Sequence, residues 1–141
     1  MKFYFFDVGV FGAVRSKWPL DSPHEIDGPA LEGIVLQHLR AWRDYTSGQA
    51  GLYFWRTRAG TEVDFVVYGE HCFTAIEVKN SATFRPRDLR GLKEFSKDYP
   101  QADTLFLYRG EEALRVDNIQ VLPGERVLTD LTPGPPLPLT P

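Results

Sequence analysis

At 141 residues the chain is the size of a single domain, and its 43% hydrophobic, 25% charged and 13% aromatic residues are globular proportions that exclude a disordered or collagen-like chain. No run approaches the roughly 18 apolar residues of a membrane span, the opening Met1 to Asp7 reaches a carboxylate too soon for a signal peptide, and the lone Cys72 excludes an internal disulfide or thiolate cluster, so the expected compartment is the cytoplasm. A net charge of −3 argues against a generally basic nucleic-acid binder, yet from Lys79 to Lys97 six basic residues stand against two acidic ones, a local +4 that leaves −7 elsewhere.

In chain order, Phe3 to Phe6 has the aromatic run of a short buried strand, and Asp7-Val8-Gly9 begins a turn. The stretch from Pro19 to Pro29 reads as a loop. Asp27 is placed as a helix N-cap with Pro29 in the first turn, and Leu31, Ile34, Val35, Leu39 and Trp42 recur at helical spacing, which predicts a helix from Pro29 to Tyr45. Leu52 to Thr57 is the next strand, Arg58 to Thr61 a hairpin turn, and the β-branched and aromatic run Glu62 to Tyr68 the returning strand. Cys72 to Val78 follows as a further strand. Pro86 opens a second helix with Leu89, Leu92 and Phe95 facing the core, and Thr104 to Tyr108 is a buried strand. Ile119 to Leu122 is a short strand before a last helical turn ending near Leu131. Five of the eleven prolines lie between Thr132 and Pro141, so residues 132–141 are expected to be a disordered or polyproline-like tail after one domain over residues 1–131.

Strand periodicity places Glu77 and Lys79 on one face and Ile76 and Val78 on the other. In the preceding strand it places Glu62 and Asp64 opposite Val63, Phe65 and Val67, and the hairpin sets Asp64 beside Glu77. Like charges so placed repel unless a cation lies between them, and two or three oxygen ligands with water in the other positions suit Mg²⁺ or Mn²⁺. Such an ion acts on a phosphodiester as a Lewis acid, with Lys79 orienting the nucleophile or offsetting charge in the transition state, and Glu32 on the first helix closing the site. The plainer reading is that Glu77 and Lys79 are a solvated strand pair and Glu32 a surface carboxylate. His24, His38 and His71 lack ligand spacing, Cys72 lacks a nearby base, and Trp42 and Trp55 are expected in the core.

Asp64, then Glu77-Val78-Lys79, after a helix carrying Glu32, resembles the Asp…Glu-x-Lys motif of the PD-(D/E)XK nuclease superfamily. The ordered series Phe3 to Gly9, Leu31-Glu32, Tyr53 to Thr57, Gly60 to Val67 and Ala75 to Lys79 resembles, from about residue 2 to residue 131, the DUF4143 domain that follows the ATPase module in many prokaryotic AAA-type ATPases. The resemblance implies an α/β, restriction-endonuclease-like fold, a mixed central sheet flanked by helices. It places Asp64, Glu77 and Glu32 as metal ligands with Mg²⁺ or Mn²⁺, and Lys79 as the catalytic lysine. Arg85, Arg87, Arg90 and Lys93 are then candidates to neutralise phosphates of DNA, with Arg56 and Arg58 weaker ones. Unlike those relatives, this sequence has no Gly-x-x-x-x-Gly-Lys-(Ser/Thr) loop, so it is not itself expected to hydrolyse ATP, and the expected partner is an ATPase module or its own missing N-terminal ATPase region. The implied activity is a DNA phosphodiesterase. The alternative is a non-catalytic DNA- or protein-docking module that keeps the nuclease fold.

Overall fold

The β-branched and aromatic runs between Ala50 and Pro123 assemble into a six-stranded mixed sheet in the computed structural model, which describes residues 23–46 and 50–137. The described elements are α1 (Pro23–Tyr45), β1 (Ala50–Arg56), β2 (Glu62–Gly69), β3 (Cys72–Val78), a 3-10 turn (Pro86–Leu89), α2 (Arg90–Asp98), β4 (Asp103–Tyr108), β5 (Leu114–Val116), β6 (Ile119–Pro123) and α3 (Gly124–Asp130). The predicted strand at Phe3 to Phe6 lies outside the described residues, as does the Asp7 turn.

Strand order across the sheet is β1-β2-β3-β4-β6-β5. The first three strands form an antiparallel meander, while β3–β4 and β4–β6 pair in parallel and β5 returns antiparallel to β6. Parallel neighbours need a crossover, and the 3-10 turn with α2 supplies it between β3 and β4. The three-residue β5 is missing from the sequence reading because Leu-Arg-Val is too short to show a period. Asp117, at φ 55°, turns it tightly into β6.

Two apolar layers cover the sheet. On one face Val35, Leu36, Leu39 and Trp42 of α1 pack on Phe65, Val67, Ile76, Leu105 and Leu107, with Val127 of α3. On the other, Leu89, Leu92 and Phe95 pack on Val63, Val66, Ala75, Phe106 and Val121. This partition corrects the strict alternation expected for β2, since Val63 belongs to the α2 face and Phe65 to the α1 face. The cause is a β-bulge: between the pairs Tyr53↔Val66 and Trp55↔Val63, β2 carries one residue more than β1, which resets the alternation around Asp64.

Two boundaries also differ from expectation. α1 begins at Pro23 and contains Pro29, where the predicted helix starts at Pro29. Pro23 suits a first helical position because its ring presets φ, and Pro29 costs the helix one backbone donor. The Pro-rich stretch does not hang free through residue 137. The Trp42 indole donates to the Pro135 carbonyl (3.0 Å), the Gly134 amide donates to Thr46 Oγ1 (3.2 Å), and Leu137 is buried in the α1 layer. One leucine and one carbonyl thus tether a stretch whose prolines cannot join a ladder. Residues 138–141 lie outside the described residues. Among the described residues no helix is long and apolar enough to cross a membrane.

Candidate functional site

β3 holds Glu77 in register with Phe106 of β4, and the pairing continues one step past the strand, where the Lys79 amide donates to the Leu107 carbonyl (2.8 Å). With Ala75 on the α2 face, period two turns Glu77 and Lys79 to that same face. The β1–β2 turn closes opposite them through Thr57 N–H to the Thr61 carbonyl (2.8 Å), with Gly60 at φ 88°, a conformation that a side chain disfavours. The 3-10 turn and the start of α2 form the third wall. Together these elements enclose a cavity of about 330 Å³ lined by Glu62, Glu77, Lys79, Arg87, Asp88, Arg90 and Gly91, with Phe106 as floor.

The cations and carboxylates there are ordered. Lys79 Nζ donates to Asp88 Oδ1 (3.3 Å), while the other oxygen of Asp88 accepts the Arg85 amide (2.8 Å). Burial raises the affinity of the Asp88 carboxyl for its proton, but the Arg85 amide and the Lys79 and Arg87 cations outweigh burial and hold the group below the usual carboxylate range. Arg90 donates to Glu94 (3.0 Å), and Glu94 is held low chiefly by that bond and by one from Thr61. Lys93 is drawn away to Asp117 (2.8 Å) on the β5–β6 turn. Arg87 makes no ion pair among the described residues. Glu77 Oε2 is shut off from solvent.

Asp64 is buried at 5% exposure, and its Oδ2 accepts the Val78 amide (2.9 Å). The β2–β3 register ends at Phe65↔Ile76, so the carboxylate takes up a strand donor just where the bulge interrupts the pairing. It is thereby fastened to the Glu77-Val78-Lys79 segment, although it does not line the cavity. Glu32, half-buried on α1, belongs to the helix on the other face of the sheet. Of the residues proposed from sequence, the structure gathers Glu77, Lys79, Arg87 and Arg90 around one cavity, sets Asp64 behind them, and leaves Glu32, Arg85 and Lys93 off its lining. Asp88, Glu62 and Gly91 were not singled out for the site. Asp88 had a readable signal, an acid three residues after Arg85 at the start of a helical turn, where it reaches back to the cap amide.

The donors bear on the metal expectation. Asp64 and Glu77 carry hard carboxylate oxygens on neighbouring strands, the donor chemistry that Mg²⁺ or Mn²⁺ takes together with water. Among the described residues no group of three or more His, Cys, Asp or Glu side chains forms a metal cluster, so Glu32 does not extend the pair to three. Cys72 keeps its plainer reading, since burial pushes its thiol up. Trp42 is in the core, as expected, but Trp55 is only half-buried. A larger cavity, about 860 Å³, lies between α1 and α3, with Leu31, Ile34, Val78 and Leu107 among its walls. It does not include Glu77 or Lys79.

Fold and site define an α/β domain whose mixed sheet carries a cavity of alternating acids and bases at the mouth of its β3–α2 crossover. The family described as "Domain of unknown function (DUF4143)" matches residues 27–127, most of the chain, and the chain belongs to that family. No curated protein and no solved structure gives a match.

Proposed function

We propose that this chain is a divalent-metal-dependent DNA phosphodiesterase of the PD-(D/E)XK type, working beside an AAA-type ATPase module. The observation that carries the reading is the presentation of Glu77 and Lys79, from one Glu-Val-Lys stretch, into a cavity rimmed by Arg87 and Arg90, with Asp64 bonded to the amide between them. Asp64 and Glu77 would hold Mg²⁺ or Mn²⁺, which supplies Lewis acidity when bound. The Lys79 ammonium places a positive charge where negative charge develops on the phosphoryl group, and it can orient the attacking water. Arg87 and Arg90 bind the flanking phosphates as forked donors. Glu32 is not needed for this reading.

One observation favours a second reading. Lys79 is engaged by Asp88, as a lysine with a structural post would be, and a non-catalytic module that docks DNA or a protein partner fits that engagement. Cleavage assays on linear, branched and single-stranded DNA with Mg²⁺ or Mn²⁺ separate the two. A nuclease loses cleavage in Lys79→Ala while DNA binding persists, because the loss is of transition-state stabilisation. The double variant Arg87→Ala/Arg90→Ala weakens binding and flattens its salt dependence. Metal-independent silence of the wild type on every substrate, with binding intact, would leave the docking module.

A further inference from the structure

The α2 face carries a second feature beyond the cavity. Tyr53, Tyr68 and Tyr99 are 57%, 56% and 37% exposed, a high value for rings on a sheet face. They border a groove of about 320 Å³ whose floor includes Trp55, Phe73 and Phe95. The rings are propped against one another. Tyr68 meets Phe73 at 5.0 Å and 73°, Phe73 meets Tyr99 at 5.6 Å and 70°, and Trp55 meets Phe95 at 5.4 Å and 87°. Gly51 carries no side chain where the Tyr53 ring lies, so that ring settles along the strand.

This shelf continues the cavity. Gly91 of α2 packs against Glu62 and Glu77, whereas Phe95, one turn further along the same helix, and Tyr99, its C-cap residue, line the groove. At 1.5 Å per residue the two ends are about 12 Å apart, roughly the length of four stacked nucleotides or of fewer in an extended strand. Arg90 at the cavity end, Glu94 and Lys97 at the shelf end follow one another at i, i+4 and i+7 on one side of α2, and the two cations, Arg90 with Glu94 as its partner, can accompany a phosphate backbone.

We infer that the substrate of this site is unpaired DNA, its scissile phosphate at Lys79, Arg87 and Arg90 and its neighbouring bases stacked on the tyrosine shelf. The inference rests on the phosphodiesterase reading and specifies its substrate. Paired bases are hidden within a duplex and cannot stack on a protein ring, whereas unpaired bases offer a π-face to any aromatic, whatever the sequence. The occupant is read from charge and ring chemistry together: exposed tyrosines tolerate water between binding events, and the cations run from the shelf into the cavity.

Fluorescence anisotropy of a labelled twelve-nucleotide oligothymidine and of a labelled duplex, both in EDTA so that neither is cut, tests this on the full chain. Tyr68→Ala/Tyr99→Ala should raise the Kd for the single strand about tenfold or more and leave the duplex Kd within twofold, and Tyr68→Phe should retain tight binding because the ring is kept. Both rings touch Phe73, and Tyr99 also touches Phe95, so the melt of the double variant should shift down while a native far-UV spectrum and a cooperative transition confirm folding. Equal losses on both nucleic acids, or no loss on the single strand, would overturn the inference while wild-type cleavage left the phosphodiesterase reading standing. A changed oligomeric state on size exclusion in the tyrosine variants would also overturn it and make the shelf a contact between copies. Absence of both binding and cleavage in the wild type would sink the broader reading as well.

Discussion

Replacing Gly91 by alanine sets two effects of known size against each other. In a helix, Gly→Ala should stabilise by up to about 1 kcal/mol. At this position a Cβ would run into the Glu62 backbone carbonyl and come within 3.3 Å of Glu77 Oε2. The carbonyl belongs to β2 and cannot swing aside as a side-chain tip can, so α2 must lift, at an overpacking cost of about 1–3 kcal/mol. The expected net effect is destabilisation by about 1–2 kcal/mol, lowering Tm by on the order of 3–8 °C. Urea unfolding followed by far-UV circular dichroism measures it. If Gly91→Ala instead gained the helix-propensity increment, the close approach of α2 to β2, and with it the cavity wall, would be wrong.

Other perturbations reach different parts of the molecule. Leu137→Ala should cost about 2–4 kcal/mol by urea unfolding, since its side chain completes the α1 layer, and an effect within error would detach the tail from the core. Asp88 has a depressed carboxyl pKa, so the stability it contributes is present above its unfolded value near 4 and is lost as pH falls through the lower folded value; Tm measured between pH 6 and pH 2.5 should fall less steeply in Asp88→Asn. An identical pH profile would mean that the contacts with Lys79 and Arg85 are not kept in solution. Added Mn²⁺ should raise the Tm of the wild type more than that of Asp64→Asn, and equal shifts would remove Asp64 from any cation site.

The sequence was most readable where one physical signal acted alone. Cys72 to Val78 has the bounds expected of it because alternation, a preceding turn and a following polar stretch coincide, and Pro86 does open the crossover helix. Glu77 and Lys79 share a face for the same reason. β2 was harder, because a bulge inserts one residue without marking the sequence, and everything before it changes face. Basic residues were legible as a cluster but not as individuals: only the fold reveals that Lys93 is occupied by a turn more than twenty residues downstream while Arg87 stays at the cavity rim. In the tail, residues 132–137 carry no helix or strand, as their prolines imply, but composition does not register the neighbouring leucine that finds a hydrophobic seat. The tyrosine shelf escaped notice because aromatic strands ordinarily signal core, and which face remains bare depends on the length of α2.

The change in pairing at β3 has a consequence for how the molecule opens. The β1–β2–β3 meander is closed by short turns, whereas β4 joins β3 only after the long crossover has come down, at a greater entropic cost of loop closure. Glu77 and Lys79 belong to the meander, but Arg87, Asp88 and Arg90 arrive with the crossover. A local excursion that lifts α2 and its 3-10 turn would therefore split the cavity into its carboxylate and arginine halves while the hairpins stayed paired. Amide hydrogen exchange should show this as faster exchange in α2 than in the β2–β3 ladder, making the opening energy of one short helix, and not the stability of the whole chain, the quantity that sets how often the site is assembled.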